Sequence, residues 1–420
     1  MKVLVSGASI AGPALAYWLG RYGHEVTVVE LAPALRKGGY AVDFRGTANK
    51  VVLERMGVLE DLRVLQTGGS AMRFVAEDDR LLMRLPPEFA GGELEVLRSD
   101  LSQVLYDHSR DKAEYVFGDS IASLTQHGGG VDVTFESGSE ATFDLVLGAD
   151  GLHSVVRRLA FGPEKDFVRH LGYYVAGWDL PNDFGIERDA LMYNVPGRLA
   201  SVGVDHRDAR QAGAMFVFAS PELTYDRRDP SQQKAILRSA FAGLGWKVPQ
   251  LLDGLDDCTE LYFDSISRVD VMRWSQGRVA LVGDAGYGAT LGGMGTGTAI
   301  VAAYVLAGEL AATGGNHAAA FAAYESQLRK PVQACQAGGN RAGKFLAPKT
   351  RFGIAARNRL LGTPFLLNQM LRVGEKVSSD FVIRDYAATQ DATAQGSSGS
   401  LLRNVSQESG NQPGTPSTAM

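Results

Sequence analysis

Small residues and one acid are spaced along the first 30 residues in a way that suits a dinucleotide. Gly7 follows a short apolar run where the chain must turn sharply, and Gly12 lets the following helix pack close to a sheet. The start of that helix presents free backbone N–H groups and the positive end of its dipole, which together attract a pyrophosphate. Glu30 ends the next apolar run, where its carboxylate can accept hydrogen bonds from an adenosine ribose. An acid there favours an unphosphorylated ribose, as in FAD or NAD.

Ser9 stands where the G-x-G-x-x-G pattern has its second glycine. Serine is small and its hydroxyl can donate to a phosphate, so we interpret it as a tolerated variant. The alternative is a purely structural glycine turn, because any βαβ unit can require one. The residues of this turn predicted to bind the cofactor are Gly7, Ser9, Ile10, Ala11 and Gly12.

A second glycine-rich segment lies far downstream, after the apolar run Val279 to Val282. The carboxylate of Asp284 can accept hydrogen bonds from the hydroxyls of a ribityl chain. The glycines that follow lead into an apolar helix, whose positive end can stabilise negative charge on a reduced flavin ring. A flexible loop is the structural alternative. The residues predicted to contact the cofactor here are Gly283, Asp284, Gly293, Gly295, Thr296 and Gly297.

Two further segments place an arginine or an aspartate at the start of a helix. Arg98 precedes a helix over Ser99 to Ser109 and is suited to a phosphate or the ribityl chain. Asp150 follows another apolar run, and Arg157 lies on the helix after it. The structural alternatives are a surface ion pair for Arg98 and a helix cap for Asp150.

The elements that carry these residues predict an α/β fold with an inserted layer. Short alternating strands between about residues 172 and 263 predict a sheet on the substrate side. A tail rich in Ser, Thr, Gln, Gly, Asn and Pro is expected to be disordered. The predicted division is a discontinuous nucleotide-binding domain (1–70, 95–165 and 275–345), a substrate-binding layer (71–94 and 166–274), C-terminal helices (346–386) and the tail (387–420).

Composition narrows the class of protein. The 420 residues include 50 glycines and are 45% hydrophobic, which fits a compact α/β protein. A net charge of -5 gives no excess of basic residues of the kind that binds nucleic acid. The two cysteines, Cys258 and Cys335, are far apart, which speaks against a disulfide framework or a zinc site and fits a reducing cytoplasm. The apolar run near residues 299–306 is too short to predict a membrane span.

Three segments occur in a fixed order: GASIAG with Glu30, DGLHSVVR, and GDAGYGATLGGMGTG. Over roughly residues 1 to 340, the chain resembles the class A FAD-dependent aromatic hydroxylases, the family of para-hydroxybenzoate hydroxylase. The segments GGYAVDFRG and LRSDL are similar to the branch that contains the tetracycline-inactivating monooxygenases and polyketide-tailoring enzymes. This resemblance implies a Rossmann-like FAD-binding domain of the GR2 type with three layers (ββα), an inserted β-sheet substrate domain and C-terminal helices.

The resemblance also implies roles for individual residues. Glu30 would hold the adenosine ribose of FAD, Asp43 and Arg98 would contact FAD, and Asp284 would bind the ribityl chain. The segment from Asp150 to Arg157 would serve both FAD and NAD(P)H, and Arg36 would help to bind the nicotinamide cofactor.

Two departures from the family pattern concern the downstream glycine segment. Gly286, Tyr287, Gly288 and Ala289 stand where the family has a histidine and prolines. Gly297 stands where an asparagine commonly follows the final Gly-x-Gly. These departures bear on the geometry of the loop and on the hydroxylation step.

The implied function is that of an NADPH- or NADH-dependent FAD monooxygenase of antibiotic or secondary metabolism. It would hydroxylate an aromatic or polyketide-like small molecule with molecular oxygen, through a flavin C4a-hydroperoxide, without a catalytic residue that the sequence identifies. A cytoplasmic monomer or homodimer with no nucleic-acid partner is expected. Side chains predicted to contact the substrate, each alternatively a core residue, are Tyr174, Trp178, Tyr193 and Phe216.

A second hypothesis is a non-redox flavoprotein cyclase or tailoring enzyme that keeps FAD as a structural cofactor. The altered loop at Tyr287 and Gly297 motivates it. Consumption of NAD(P)H and uptake of oxygen separate the two hypotheses. A flavin halogenase is disfavoured, since neither a tryptophan-rich segment nor a lysine suited to relaying hypohalous acid is evident.

Overall fold

The structure is a computed structural model that describes residues 1–36, 41–205, 207–291, 295–363, 365–367, 369 and 383–386. The strands, in chain order, are β1 (Lys2–Ser6), β2 (Glu25–Glu30), β3 (Ala41–Phe44), β4 (Met72–Val75), β5 (Leu81–Leu85), β6 (Leu94–Leu97), β7 (Glu114–Phe117), β8 (Ile121–His127), β9 (Gly130–Phe135), β10 (Glu140–Phe143), β11 (Leu145–Gly148), β12 (Val168–Pro181), β13 (Ala190–Val195), β14 (Arg198–Val204), β15 (Gln211–Ala219), β16 (Tyr262–Val269), β17 (Ser275–Gln276) and β18 (Val279–Leu281).

The helices, in chain order, are α1 (Ala11–Arg21), α2 (Thr47–Met56), α3 (Leu59–Val64), α4 (Glu88–Gly91), α5 (Arg98–Ser109), α6 (Val155–Ala160), α7 (Pro230–Phe241), α8 (Val248–Asp257), α9 (Asp284–Tyr287), α10 (Gly295–Ala312), α11 (His317–Leu346) and α12 (Arg351–Leu361). The predicted α/β fold is confirmed.

A six-stranded sheet organises the nucleotide-binding part, in the order β17-β18-β11-β1-β2-β7. All its pairings are parallel except β17 with β18. Both faces are covered, and Val3, Leu4, Val5, Leu145 and Val146 are almost completely buried, which explains why these strands are continuous apolar runs. Because the strands are parallel, β2, β1, β11 and β18 all end at the same edge of the sheet.

Two further layers cover this sheet. The antiparallel sheet β10-β9-β8 packs against β1 and β11. The helical layer contains α1, which packs against α5 and α10. By length and composition, α10 is the one helix of the described part that meets the criterion for a membrane span, but most of its residues are buried inside the protein. Its apolar character is therefore accounted for by packing.

A seven-stranded sheet forms the second part, in the order β16-β12-β15-β14-β13-β4-β5. It joins β4 and β5, from the predicted segment 71–94, to strands of the segment 166–274. One face packs on α7 and α8 through a cluster that includes Phe216, Leu237 and Leu251. The other face packs against α11 and α12. Both faces are thus partly covered by helices, and the division into domains stays a prediction.

The C-terminal region is described in part. The long helix α11 leads to α12, which contacts β5 and β13. Most of the predicted helical segment 346–386 after residue 369 lies outside the described residues, as does the whole tail 387–420. Gly293, predicted to contact the cofactor, also lies outside them.

Candidate functional site

The turn after β1 contains two glycines at positions that leave no room for a side chain. Gly7 has a φ of 104°, and a Cβ on it would lie 2.6 Å from the carbonyl oxygen of Ala149. A Cβ on Gly12 would lie 1.8 Å from the carbonyl oxygen of Gly7. The turn therefore crosses the end of β11 closely, and α1 begins directly under it. Ile10 and Ala11, the other two turn residues, are buried.

Glu30 is fixed beside this turn by backbone donors. The N–H of Ala8 donates to its Oε2 at 2.8 Å, and the N–H of Ala32 donates to its Oε1 at 2.9 Å. Each carboxylate oxygen has two lone pairs, so acceptor capacity remains for the hydroxyls of a ribose. The carboxylate is half-buried, and its position suits the predicted ribose contact.

Ser9 connects the turn to α5. Its carbonyl oxygen accepts a hydrogen bond from the hydroxyl of Ser102 at 2.9 Å, and its Oγ accepts one from Arg98 Nη2 at 3.3 Å. The serine that replaces the usual glycine thus places the exposed guanidinium of Arg98 beside the phosphate end of the turn. This pairing was not predicted from the sequence.

Asp43 lies on β3, which pairs with the strand that leads into Arg98. Burial raises the pKa of Asp43, while the ion pair with Arg45 opposes that shift. Asp43 is thus held by a neighbour on its own segment. Arg36 is exposed at the end of the first described stretch, and its predicted contact with the nicotinamide cofactor stays a prediction.

Asp150 and Arg157 connect loops within the site. Asp150 accepts hydrogen bonds from the hydroxyls of Ser6 and Ser154 and from the N–H of Val156, and burial raises its pKa. Arg157 has no exposed surface, and its guanidinium donates to the carbonyl oxygens of Ala285 and Leu152. Both side chains thus hold the loop after β11 in place, and their predicted cofactor contacts stay predictions.

Asp284 lies just beyond the end of β18, after Gly283, which has a φ of 65°. The side chain is exposed to solvent, yet desolvation by the surrounding protein raises its pKa and the charge of Arg98 opposes that shift. Asp284 is thus reached by solvent although protein surrounds it, so we infer that it lies in a deep cleft. A Cβ on Gly295 would lie 3.7 Å from Asp284 Oδ1, so Gly295 adjoins this acid; Thr296 follows it in the first turn of α10, and its contact with the cofactor stays a prediction.

The opposite wall of the cleft includes β16. Desolvation raises the pKa of Tyr262, and it raises the pKa of Asp264 to about 6. Tyr262 interacts electrostatically with Arg98, Asp264 and Asp284, which brings all four side chains into one neighbourhood. Alternation along β16, with the buried Phe263 between the two polar residues, was the signal for this wall. The sequence interpretation missed it.

His153, within the DGLHSVVR segment, bridges the two parts of the protein. Its Nε2 lies 3.2 Å from Asp264 Oδ1, and its Nδ1 lies 3.1 Å from both carboxylate oxygens of Glu164. Arg227 also pairs with Glu164, at 3.2 Å. The sequence indicated His153 only as part of the segment from Asp150 to Arg157, and it did not indicate Glu164, Arg227 or Asp264. In the described part of the chain, no group of three or more His, Cys, Asp and Glu is placed to hold a metal ion.

The four side chains predicted to contact the substrate lie on the sheet face that packs against α7 and α8. Tyr174, Trp178, Tyr193 and Phe216 are all in this buried cluster, at most 7% exposed. That placement agrees with the alternative that they are core residues, and their contact with the substrate stays a prediction. The reason is that both faces of the sheet are partly covered, so large apolar side chains occur on the face away from the cleft. Tyr262 lies on the other face of the sheet, which adjoins the cleft. Gly177 is in register with Tyr262, and Met215 and Ser201 continue the same row on the next two strands.

The altered loop after Asp284 is explained by packing. Tyr287 is buried, its ring lies 4.3 Å from that of Trp274, and its hydroxyl is 2.8 Å from that of Tyr324. Tyr324 in turn donates to the carbonyl oxygen of Leu281. Tyr287 therefore anchors the end of β18 to α11.

The ends of β2, β1, β11 and β18 form a row that bears Glu30, the Gly7 turn, Asp150 and Asp284. Neighbouring strands are about 4.8 Å apart, so this row spans about 14 Å. Such a row suits an extended dinucleotide with its ribose at Glu30 and its polyol chain at Asp284. The cradle formed by Gly7 and Gly12 and the acceptors at both ends fit FAD.

Comparison with known proteins agrees with this geometry. A family model described as FAD binding domain matches residues 1–336. An uncharacterized protein of Mycobacterium tuberculosis is 43% identical over 338 residues, covering 79% of this chain and 90% of that protein. A flavin-dependent monooxygenase of Legionella longbeachae is 38% identical over 341 residues, covering 80% of this chain and 87% of that protein. The crystal structure of tetracycline destructase Tet(51) has a TM-score of 0.81 at 33% identity, with 92% of this chain and 99% of that chain covered. The chain belongs to the FAD binding domain family, which confirms the family resemblance.

Proposed function

We propose that this member of the FAD binding domain family is an FAD monooxygenase that uses NADPH or NADH and molecular oxygen to hydroxylate an aromatic or polyketide-like small molecule. The observation that carries the proposal is the row of Glu30, the Gly7 turn, Asp150 and Asp284 at one sheet edge, which ends in a cleft. Relatives named flavin-dependent monooxygenase and a tetracycline destructase neighbour support the reaction class.

The chain's own residues divide the work of holding the cofactor. Glu30 accepts the ribose hydroxyls, the turn from Gly7 to Gly12 and the start of α1 bind the pyrophosphate, and Asp284 accepts the ribityl hydroxyls. Arg98, hydrogen-bonded to Ser9, adds a positive charge beside the phosphates. When bound, FAD supplies the redox chemistry: it takes hydride from the reductant and activates oxygen for transfer to the substrate.

The cleft face of the seven-stranded sheet offers space for a flat substrate. Gly203 and Gly213 lie directly opposite each other on adjacent strands, and Gly177 follows on the next strand in the neighbouring row. A Cβ on Gly213 would meet only Asp179 Oδ1, at 3.8 Å, so the surface above it is open. Met215 and Tyr262 flank Gly177 and replace the side chains first predicted for substrate contact. A flat fused-ring molecule fits this part of the cleft face.

The test is a purified protein examined for flavin absorbance and then for oxygen uptake. We expect a yellow protein that consumes NADPH or NADH and oxygen when a substrate from a panel of phenols, polyketides and tetracyclines is added, with a product 16 mass units heavier, as one added oxygen atom requires. The variant Asp284→Ala should lose flavin, whereas Asp111→Ala, at an exposed surface carboxylate, should retain it. A colourless protein that FAD cannot reconstitute would refute the proposal. Product formation without oxygen uptake would favour the non-redox cyclase.

A further inference from the structure

The helix α12 is fixed to the seven-stranded sheet by its inner face. Its buried Arg357 donates hydrogen bonds to the carbonyl oxygen of Phe345 at 2.7 Å and to Asn194 Oδ1 at 2.8 Å. The same guanidinium lies 4.2 Å from the centre of the Phe74 ring, and Leu361 is buried in the apolar cluster on the sheet. These contacts hold the helix in one orientation, so its outer face is a defined surface of the protein.

The outer face of α12 combines apolar and basic side chains. Phe352 is 83% exposed and Leu360 is 53% exposed, and Arg351 and Arg359 are exposed as well. Phe365, just beyond the helix, is 74% exposed. Positions three or four apart lie on the same side of a helix, so the exposed residues cover one half of it without interruption. The residues of this outer face are Arg351, Phe352, Ala355, Ala356, Arg359 and Leu360.

The charge of this region is opposite to that of the whole protein. The chain has a net charge of -5, yet no acidic residue occurs between Glu325 and Glu375. The basic residues of the same stretch are Arg329, Lys330, Arg341, Lys344, Lys349, Arg351, Arg357, Arg359 and Arg372. Lys349, two positions before α12, is exposed and adds to the two arginines of the outer face. A local excess of positive charge thus lies next to exposed apolar side chains.

Exposed apolar side chains flanked by arginines favour one kind of partner, the surface of a bilayer that contains anionic lipids. A helix of this kind lies in the plane of the interface, with its apolar side chains at the boundary between headgroups and acyl chains. The arginines then lie at the level of the lipid phosphates, where the negative surface potential attracts them. A second copy of the chain fits less well, because a two-fold contact through this face would place the arginines of both copies in one interface.

We propose that the outer face of α12 is a docking surface for bilayers rich in anionic lipid. Phe352, Leu360 and Phe365 enter the boundary between headgroups and acyl chains, and Arg351 and Arg359 pair with lipid phosphates. Three apolar side chains and a few charges give reversible binding, with a partition coefficient on the order of 10⁴ M⁻¹ or below, the value for a single myristoyl chain. The proposal concerns attachment to a membrane surface and is independent of the reaction proposed for the cleft.

Flotation of the full-length protein with lipid vesicles, at several lipid concentrations, tests this surface. We expect it to float with vesicles of equal parts phosphatidylcholine and phosphatidylglycerol, less so at high salt because salt screens the arginines, and not with phosphatidylcholine alone. Arg351→Gln/Arg359→Gln should lower the partition coefficient roughly twentyfold, since each basic residue near an anionic surface contributes about fivefold. Phe352→Ser/Leu360→Ser should lower it roughly tenfold through the loss of apolar burial.

The matched controls alter similar side chains elsewhere on the surface. Val64→Ser replaces an apolar residue that is 86% exposed, and Arg80→Gln replaces an exposed arginine, so both should bind vesicles as the wild type does. All variants should keep the wild-type melting temperature and flavin content, because the altered side chains are exposed and lie outside the proposed FAD site.

Three outcomes would overturn the proposal. These are a wild-type protein that floats with neither kind of vesicle, equal flotation with phosphatidylcholine alone, and double variants that float as the wild type does. A change of oligomeric state in Phe352→Ser/Leu360→Ser, measured by light scattering without vesicles, would also overturn it, because the face would then be a contact between copies. None of these results bears on flavin binding, so the proposed function is tested separately.

Discussion

Arg157 Nη1 donates a hydrogen bond of 2.8 Å to the carbonyl oxygen of Ala285, which joins the loop after β11 to the loop after β18. Nη2 of the same guanidinium donates to the carbonyl oxygen of Leu152 at 2.6 Å. The side chain has no exposed surface, and burial lowers its pKa. Two of the four loops at the sheet edge are thus fixed to each other by one buried cation.

Replacement of this cation tests its structural role. We expect Arg157→Met to destabilise the protein by about 3 kcal/mol, because the buried carbonyl oxygen of Ala285 and the partly buried one of Leu152 lose their donors at about 1–3 kcal/mol each. FAD affinity should fall as the loops separate. Urea unfolding with flavin titration measures both effects. Arg158→Ala, at the exposed neighbour, should change neither quantity, and an equally silent Arg157→Met would contradict the role.

The turn after β1 leads to a second prediction, about glycine. Gly12→Ala places a Cβ 1.8 Å from the carbonyl oxygen of Gly7. Overpacking against backbone costs about 3 kcal/mol or more, so we expect loss of FAD binding and of much of the soluble yield. Gly128→Ala introduces the same methyl where nothing lies within 4 Å. Its melting temperature and flavin content should match the wild type, and a Gly12→Ala variant that also matches would show that the turn can relax.

The strand, turn and helix at the first 30 residues could be predicted from the sequence, because their geometry is local. Gly7, Gly12 and Glu30 lie within one strand-turn-helix-strand unit, and the physical need for each follows from its neighbours in the chain. Contacts between segments that are far apart in the sequence could not be predicted from neighbouring residues in this way. The close approach of Asn49 to Gly297, and the bridge from His153 to Asp264, depend on how helices and sheets meet.

The orientation of the seven-stranded sheet could not be predicted from the sequence. Alternation shows that a strand has two faces, but it does not show which face adjoins the cleft. Aromatic residues such as Tyr174 and Phe216 were assigned to the substrate because they are large and apolar. The helices α7 and α8 bury them instead, while the cleft face carries small residues such as Gly213.

Adjacent residues on β15 test the orientation of that sheet. Phe216 is fully buried beside Trp178 and Phe241, so Phe216→Ala should cost about 3–5 kcal/mol in stability. Met215 is half-buried on the cleft face, so Met215→Ala should cost less stability and instead raise the KM for the substrate. Thermal unfolding and steady-state kinetics on the folded fraction distinguish the two effects. The reverse pattern would place the substrate on the face of α7 and α8.

Asp264 leads to a prediction about pH. Burial raises its pKa from 3.8 to about 6, and only 17% of its side chain is exposed. Between pH 4 and 6 the folded state therefore holds a proton that the unfolded state has released, so stability falls as pH rises through this window. The loss amounts to at most about 3 kcal/mol, from about 1.4 kcal/mol for each pKa unit.

Asp264→Asn should reduce that slope by the part that Asp264 contributes, because the amide does not titrate. Glu260→Gln removes an exposed carboxylate close to the same strand and should retain the slope. Urea unfolding at several pH values supplies the comparison. Glu164, whose pKa burial also raises, contributes in the same direction, so a smaller slope in Asp264→Asn still supports the assignment. An unchanged slope would show that the attraction of Arg227 and His153 for the ionised carboxylate balances its desolvation.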